Sequence, residues 1–194
     1  MHYIIVSDIF GRTTALEHLS IELAVPCEIF DPYDSQILEF SSEEQAYNYF
    51  TTNVGIEQYA DKLEQFIGAI DKDVMLIGFS AGGSAIWKMS ENAGLQNVAS
   101  ALCFYAGQIR FYKALQPCFS THLIFPYAEK HFCVAQLIDD LSNTANVIIE
   151  QVGYAHGFMN SHSPNYNATG YQKTMTALQQ FILSGDTLQH FNID

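Results

Sequence analysis

The chain alternates short apolar runs with stretches in which apolar residues recur at helical spacing. Residues 3–7 form an apolar run, as expected for a strand that is buried on both faces of a sheet, and residues 13–24 then show helical spacing. The alternation continues, with further strands predicted at 27–30, 74–77, 98–105, 123–125 and 147–152, and further helices at 56–70, about 83–89, 132–141 and 168–183. This order predicts an α/β fold of three layers, a mostly parallel sheet with helices on both faces.

The 194 residues contain no internal repeat, low-complexity tract or linker, so we expect residues 1–194 to form a single α/β domain. The one poorly defined stretch is residues 33–54, which is polar and aromatic and is assigned only as a connection with some helix. From the sequence it is either a lid or a plain connection.

The charge balance bears on possible partners. Eight Lys and Arg residues against 21 Asp and Glu residues give a formal charge of −13, which disfavours nucleic acid and anionic membrane surfaces. No run of 18 apolar residues predicts a membrane span. Because the first residues do not resemble a secretory signal and the four cysteines are scattered, we expect a cytoplasmic protein.

The sequence Gly-Phe-Ser-Ala-Gly at 78–82 matches the motif G-x-S-x-G at a predicted strand-to-helix junction. In this context a sharp turn lifts the serine hydroxyl above the end of the sheet, and flanking glycines avoid clashes with the backbone. Ser80 is therefore predicted as a nucleophile. The alternative is a serine that only caps the following helix.

A serine needs a base, and His156 stands in the loop after the last predicted strand, from which an imidazole can reach the serine. His162, six residues further on, is the weaker candidate. The acid is expected between the two in sequence, and Glu129 is the only carboxylate in the loop after strand 123–125. Glu129 could instead form a surface ion pair with Lys130, and Asp139 and Asp140 lie in a predicted helix.

An oxyanion hole needs two backbone N–H donors. Ala81, the residue after the nucleophile, supplies one. The other is expected from the loop after the first strand, Asp8-Ile9-Phe10-Gly11.

Taken together, these segments resemble the dienelactone hydrolase family of α/β hydrolases. The likeness rests on Asp8-Ile9-Phe10-Gly11, the turn at Ser80, Phe104-Tyr105-Ala106-Gly107, and His156-Gly157-Phe158-Met159-Asn160, which occur in the family's order. The resemblance implies a compact hydrolase with the nucleophile at position 80, His156 as the base, and the N–H groups of Ile9 and Ala81 as the oxyanion hole. With these groups performing the reaction, we expect no metal and no organic cofactor.

The chain departs from the family pattern at three positions. Serine stands at position 80, where family members in the narrow sense have cysteine. The acid loop carries Glu129 where the family has an aspartate, and Asp8 replaces a glutamate that helps to activate the cysteine.

The sequence thus predicts a serine hydrolase that cleaves a small ester, lactone or thioester through an acyl-enzyme. Six residues are expected to be able to contact the substrate: Asp8, Phe10, Phe79, Tyr105, Arg110 and Phe158. Core packing explains several of the aromatic rings equally well. Because the charge would repel an anion and only Arg12 and Arg110 could hold one, a neutral ester is favoured over dienelactone itself. The alternatives are a catalytically impaired protein of the same fold that binds a small ligand or a partner, and a metal site formed by His122, His131 and Cys133.

Overall fold

The computed structural model describes residues 1–185 and 188–193. Within them lie six β-strands: β1 (His2–Val6), β2 (Cys27–Phe30), β3 (Val74–Phe79), β4 (Val98–Phe104), β5 (Ser120–Phe125) and β6 (Val147–Gln151). Six α-helices are found: α1 (Thr14–Glu22), α2 (Glu43–Asn53), α3 (Gly55–Gly68), α4 (Ala81–Met89), α5 (Val134–Leu141) and α6 (Ala168–Ser184). Short 3₁₀ helices span Gly107–Phe111 and Leu188–His190. Each predicted strand and helix is present within a few residues of its predicted bounds.

The strands form one sheet in the order β2-β1-β3-β4-β5-β6, and all five neighbouring pairs are parallel. Every residue of β3, near the centre, is buried. This confirms the predicted α/β fold. Because the strands are parallel, their carboxyl ends meet at one edge of the sheet, where the loops after β1, β3, β5 and β6 come together.

Helices cover both faces of the sheet and produce two apolar layers. Strand β1 shows the division: Ile4 and Val6 pack towards helices α2 to α5, whereas Ile5 packs towards α1 and α6. The largest fully buried side chain, Trp87 of α4, belongs to the first layer. The three-layer arrangement follows from this alternation, since successive strand residues point to opposite faces.

The stretch 33–54 contains a defined helix, α2. Ser42 caps it by accepting a hydrogen bond from the N–H of Gln45 at 3.1 Å. Gly55, with a φ of 73°, then allows the chain to turn directly into α3. Among the described residues, no helix is both long and apolar enough to cross a membrane.

Candidate active site

The turn between β3 and α4 holds Ser80 in a conformation that residues other than glycine rarely adopt, with φ 50° and ψ −107°. The turn packs so tightly that Gly78 and Gly83 lie against each other. A Cβ atom on Gly78 would come within 2.7 Å of the backbone nitrogen of Gly83. The Ser80 side chain makes no capping hydrogen bond to α4. The structure therefore does not use Ser80 as a helix cap.

The Ser80 hydroxyl instead contacts the ring of His156. Ser80 Oγ lies 2.9 Å from His156 Nε2, and His156 Nδ1 lies 2.6 Å from Glu129 Oε1. The side chains of His156 and Glu129 are 28% and 12% exposed. With the ring proton on Nδ1 donated to the carboxylate, Nε2 is free to accept the serine proton. This arrangement is chemically able to activate a hydroxyl group.

The loop after β6 brings His156 over the sheet edge. Gly157 follows the histidine with a φ of 83°, where a Cβ atom would lie 2.5 Å from Ser163 Oγ, so the turn requires glycine. Asn165 donates a side-chain hydrogen bond to the carbonyl of His156 at 3.0 Å. From below, the Tyr105 ring packs with its centroid 4.9 Å from that of the imidazole. The ring is thus held on several sides.

Glu129 reaches the histidine because its own loop is joined to the histidine loop. The N–H of Tyr127 donates to the carbonyl of Tyr154 at 3.0 Å. On the other side, a Cβ atom on Gly107 would lie 3.6 Å from Glu129 Oε1, an ordinary contact distance, so Gly107 lies beside the carboxylate. These contacts place the glutamate beside His156 even though the loop departs from the family pattern.

The turn at Ser80 and the loop after β1 each carry a backbone N–H group that was predicted as an oxyanion donor. A Cβ atom on Gly82 would lie 2.3 Å from the carbonyl oxygen of Val6 and 2.4 Å from that of Ser7, so the start of α4 packs directly on the end of β1. The N–H groups of Ile9 and Ala81 donate no hydrogen bond to any residue that the structure describes. Free donors at the start of a helix and in the adjacent loop can stabilise a developing negative charge.

Asp8 links the loop after β1 to the histidine loop. Its Oδ2 accepts a hydrogen bond from Asn160 Nδ2 at 2.7 Å, and its Oδ1 accepts one from the N–H of Phe10 at 2.9 Å. Burial raises the pKa of the Asp8 carboxyl, and the Asn160 hydrogen bond partly offsets this. Both carboxyl oxygens, proposed from the sequence as substrate contacts, are therefore already engaged within the protein.

Three of the predicted substrate-contacting rings lie in the core. Phe79, Tyr105 and Phe158 are 3%, 1% and 0% exposed and pack in the layer beneath α1 and α6. Phe79 and Tyr105 also line a narrow pocket beside Asp8 and α1, whereas Phe158 packs wholly within this layer. Phe10 is only partly buried, and its ring lies 6.3 Å from that of His162.

Arg110 lies in the 3₁₀ helix after β4. Its Nη1 donates to the carbonyl of Gly107 at 2.6 Å, and its guanidinium carbon lies 4.2 Å and 5.0 Å from the ring centroids of Phe111 and Phe132. The guanidinium is thus occupied by a backbone carbonyl and by two aromatic rings.

The structure also places the residues of the alternative base, acid and metal site that the sequence left open. The ring of His162 makes no hydrogen bond to the residues described, while Asp139 and Asp140 are exposed on α5. In the proposed metal set, His122 is buried whereas His131 and Cys133 are exposed. Nowhere in residues 1–185 and 188–193 do three or more His, Cys, Asp or Glu side chains form a group that could hold a metal.

Sequence reasoning missed two tyrosines beneath the loop after β1. The Tyr33 hydroxyl donates to the carbonyl of Ile9 at 2.6 Å, and the Tyr59 hydroxyl donates to the carbonyl of Ser7 at 3.0 Å. The available signal for Tyr33 was its position just after β2, at the carboxyl edge of the sheet. Nothing in the helical spacing that contains Tyr59 distinguishes it from a core residue.

Comparison with known proteins assigns the chain to a family. A model of the dienelactone hydrolase family matches residues 4–184. An uncharacterized protein of Bacillus subtilis (strain 168), YczH, is 27% identical over 149 residues, which is 75% of this chain and 72% of that protein.

Solved structures show the same fold. A candidate dienelactone hydrolase from Klebsiella pneumoniae superposes with a TM-score of 0.70 at 15% identity, covering 94% of this chain and 85% of that one. A dienelactone hydrolase-like promiscuous phosphotriesterase from metagenomic libraries gives 0.63 at 14% identity, over 94% and 85%. Est1E from Butyrivibrio proteoclasticus gives 0.60 at 9% identity, over 94% and 87%. The predicted α/β-hydrolase fold is confirmed.

Proposed function

The chain belongs to the dienelactone hydrolase family and is a hydrolase of that type, and we propose that it cleaves a small neutral ester, lactone or thioester through an acyl-enzyme on Ser80. The observation that carries the proposal is the continuous path from Ser80 Oγ to His156 Nε2 at 2.9 Å and from His156 Nδ1 to Glu129 Oε1 at 2.6 Å. A serine, a base and an orienting acid within hydrogen-bond distance are what nucleophilic catalysis requires.

In the first half of the reaction, Ser80 Oγ attacks the carbonyl carbon while His156 Nε2 takes the hydroxyl proton. The negative charge that forms on the carbonyl oxygen is stabilised by the N–H groups of Ile9 and Ala81. When the tetrahedral intermediate collapses, the carbon–oxygen or carbon–sulfur bond to the leaving group breaks, and His156 donates the proton to that group. Glu129 keeps the imidazole oriented and stabilises its charged form.

In the second half, a water molecule attacks the acyl-serine ester. His156 accepts a proton from this water and returns it to Ser80 Oγ as the acyl group leaves as a carboxylic acid. Both halves use the same proton acceptor and the same oxyanion donors, so no additional group is needed.

The preference for a neutral substrate is supported by the way the two arginines are used. Arg12 Nε donates to Glu17 Oε1 at 3.0 Å, and Arg110 is held by the Gly107 carbonyl and by aromatic rings. With a formal charge of −13 over the whole chain, an anionic substrate would be repelled without a free arginine to bind it.

The test is labelling by a fluorophosphonate probe, measured by intact mass, together with hydrolysis of a neutral aryl ester. Wild-type protein should gain one label and hydrolyse the ester, faster than an analogue that carries a carboxylate on its acyl group. Ser80→Ala should lose both activities, whereas Ser142→Ala, an exposed serine at the end of α5, should keep them. Folded wild-type protein that takes no label and cleaves no ester would instead favour the binding-protein alternative.

A further inference from the structure

The tyrosine at position 33 makes a buried hydrogen bond to the loop that carries one of the two free donors. Its hydroxyl oxygen lies 2.6 Å from the carbonyl oxygen of Ile9, and Tyr33 is only 5% exposed. Ile9 is also the residue whose own N–H faces no acceptor among the described residues. The contact with Tyr33 therefore acts on the peptide group next to the one that carries this donor.

The hydrogen bonds around Ile9 fix the peptide groups on both sides of its Cα atom. In the preceding peptide, the carbonyl of Asp8 accepts from the N–H of Gly11 at 3.1 Å. In the following peptide, the Ile9 carbonyl accepts from Tyr33, while the N–H of Phe10 donates to Asp8 Oδ1 at 2.9 Å. With both peptides held, the direction of the Ile9 N–H is set before any substrate binds.

Tyr33 is itself firmly held. Its backbone N–H donates to Asp31 Oδ1 at 2.8 Å, and its ring packs edge-on against those of Phe40 and Tyr49, with centroids 5.8 Å and 5.5 Å away. The ring also lies over Gly11, where a Cβ atom would come within 2.6 Å of it. The hydroxyl is therefore delivered to Ile9 by a rigid aromatic group built from the stretch that connects β2 to α3.

We propose that Tyr33 is a positioning residue for hydrolysis, which orients the Ile9 N–H towards the oxyanion through its hydrogen bond to the Ile9 carbonyl. This inference rests on the proposed function. The aromatic stretch around Tyr33 accordingly supports the loop after β1, which carries the Ile9 N–H.

Tyr59 provides the contrast within the same loop. Its hydroxyl bonds the carbonyl of Ser7 at 3.0 Å and that of Phe30 at 3.3 Å, so it joins the ends of β1 and β2. That contact holds the strands together and acts on the Ser7–Asp8 peptide, which precedes the peptide that carries the Ile9 N–H, whereas Tyr33 acts on the peptide that follows it. Tyr33 is the tyrosine that touches the residue whose N–H is used.

An oriented donor matters most when charge develops on the substrate oxygen, since the neutral carbonyl of the bound ester gains less from it. Loss of the Tyr33 hydroxyl should therefore lower kcat and leave KM nearly unchanged. Burial raises the pKa of the Tyr33 hydroxyl far above its usual range, so the group donates at any working pH. The pH profile of the variant should accordingly run parallel to that of the wild type.

The experiment compares Tyr33→Phe, which keeps the ring and its packing, with Tyr47→Phe, which removes the hydroxyl of an exposed tyrosine on α2. For a neutral aryl ester, Tyr33→Phe should lower kcat about tenfold with KM within about twofold, and should weaken binding of a trifluoromethyl ketone analogue of the tetrahedral intermediate about tenfold. Tyr47→Phe should match the wild type in all three. Thermal unfolding of Tyr33→Phe should occur within about 4 °C of the wild type, the effect of one lost hydrogen bond.

Two results would overturn the proposal. If kcat is unchanged in Tyr33→Phe, Tyr33 does not orient the donor. If kcat falls together with a large loss of thermal stability or a rise in KM, the role of Tyr33 is structural alone. Hydrogen exchange at the Phe10 amide separates this failure from a failure of the proposed function. If the wild type hydrolyses no ester, the proposed function fails. Exchange of the Phe10 amide about tenfold faster in Tyr33→Phe would then still support the part of Tyr33 in holding the loop after β1, whereas unchanged exchange would overturn that part.

Discussion

Two histidine–glutamate pairs lie in different regions of the molecule, one at the carboxyl edge of the sheet and one inside it. At the edge, His156 Nδ1 is 2.6 Å from Glu129 Oε1, and the histidine side chain is 28% exposed. Inside, His122 Nε2 on β5 is 3.4 Å from Glu150 Oε2 on β6, and the histidine side chain is 2% exposed. In these two pairs the same two residue types thus meet in very different surroundings.

The two pairs differ in the hydrogen bonds of the histidine ring and in its exposure. His156 makes hydrogen bonds at both ring nitrogens, to Glu129 and to Ser80. Neither ring nitrogen of His122 makes one with the described residues, and the Phe191 ring packs edge-on against it at 5.5 Å. Burial lowers the pKa of His122 to about 4, which keeps it neutral at pH 7. A carboxylate near a histidine therefore makes a base only where the donor is aligned and a nucleophile is within reach.

The same substitution at both histidines tests most directly whether only His156 serves the reaction. His156→Leu should lower kcat for a neutral aryl ester by about 10⁴, because Ser80 loses the acceptor of its proton. His122→Leu should leave kcat within about threefold, since that ring touches no group of the proposed mechanism. Initial-rate kinetics on both purified variants measure this. Equal losses at the two positions would show that the buried pair also serves the reaction.

The sequence predicted the site residues that follow recognisable strands and turns, and it missed those whose part depends on packing between distant segments. The turn at Ser80 is specified by glycines within five residues, and His156 follows directly after a recognisable strand. Glu129 was predicted as the acid because it is the only carboxylate in its loop, although the sequence left a surface ion pair with Lys130 open; the contact with His156 depends on how two loops 27 residues apart are joined. The same holds for Tyr33, whose hydroxyl meets Ile9 only after β1 and β2 have paired.

Burial was the feature least visible in the sequence. Phe79, Tyr105 and Phe158 lie in or just after the strands that surround the site, so the sequence left open whether they contact the substrate or pack in the core. In the folded chain they point to the face covered by α1 and α6. A change of one position along a strand moves a side chain to the opposite face, and the choice of face is fixed by the packing of the whole sheet.

The second prediction concerns the two glutamates, and its effect is smaller. Glu129→Gln should lower kcat by about 10³, because an amide can favour the wrong ring tautomer and no longer stabilises the charged imidazole. Glu150→Gln should leave kcat within about twofold, while its side chain can still accept the backbone N–H of Ile193, which Glu150 Oε1 accepts at 3.2 Å. Steady-state rates with the neutral ester provide the measurement. Full activity in Glu129→Gln would remove the glutamate from the proposed mechanism and leave Ser80 and His156 as a pair.

The smallest effect is expected on stability rather than on rate, and it comes from the buried pair. The pKa of His122 is about 4 in the folded state, below its usual value of 6.5, because burial disfavours the charged ring. Above pH 6.5 the ring is neutral in both the folded and the unfolded state and contributes nothing to the pH dependence. Between pH 6.5 and 4 the unfolded state binds the proton and the folded state does not, so stability falls as the pH falls.

Urea unfolding at pH 6.5 and pH 4.5 tests this sign. The free energy of unfolding of the wild type should drop by about 2 to 3 kcal/mol more than that of His122→Leu, in which the titrating group is absent. Every other titrating group is common to the two proteins, so the difference isolates His122. Equal pH dependence would mean that burial and Glu150, 3.4 Å away, have opposite and equal effects on the pKa of His122. A smaller drop in the wild type than in His122→Leu would mean that Glu150 holds the ring in its charged form. The buried pair would then be an ion pair like the one that forms transiently at Glu129 and His156, and only access to a nucleophile would distinguish the two.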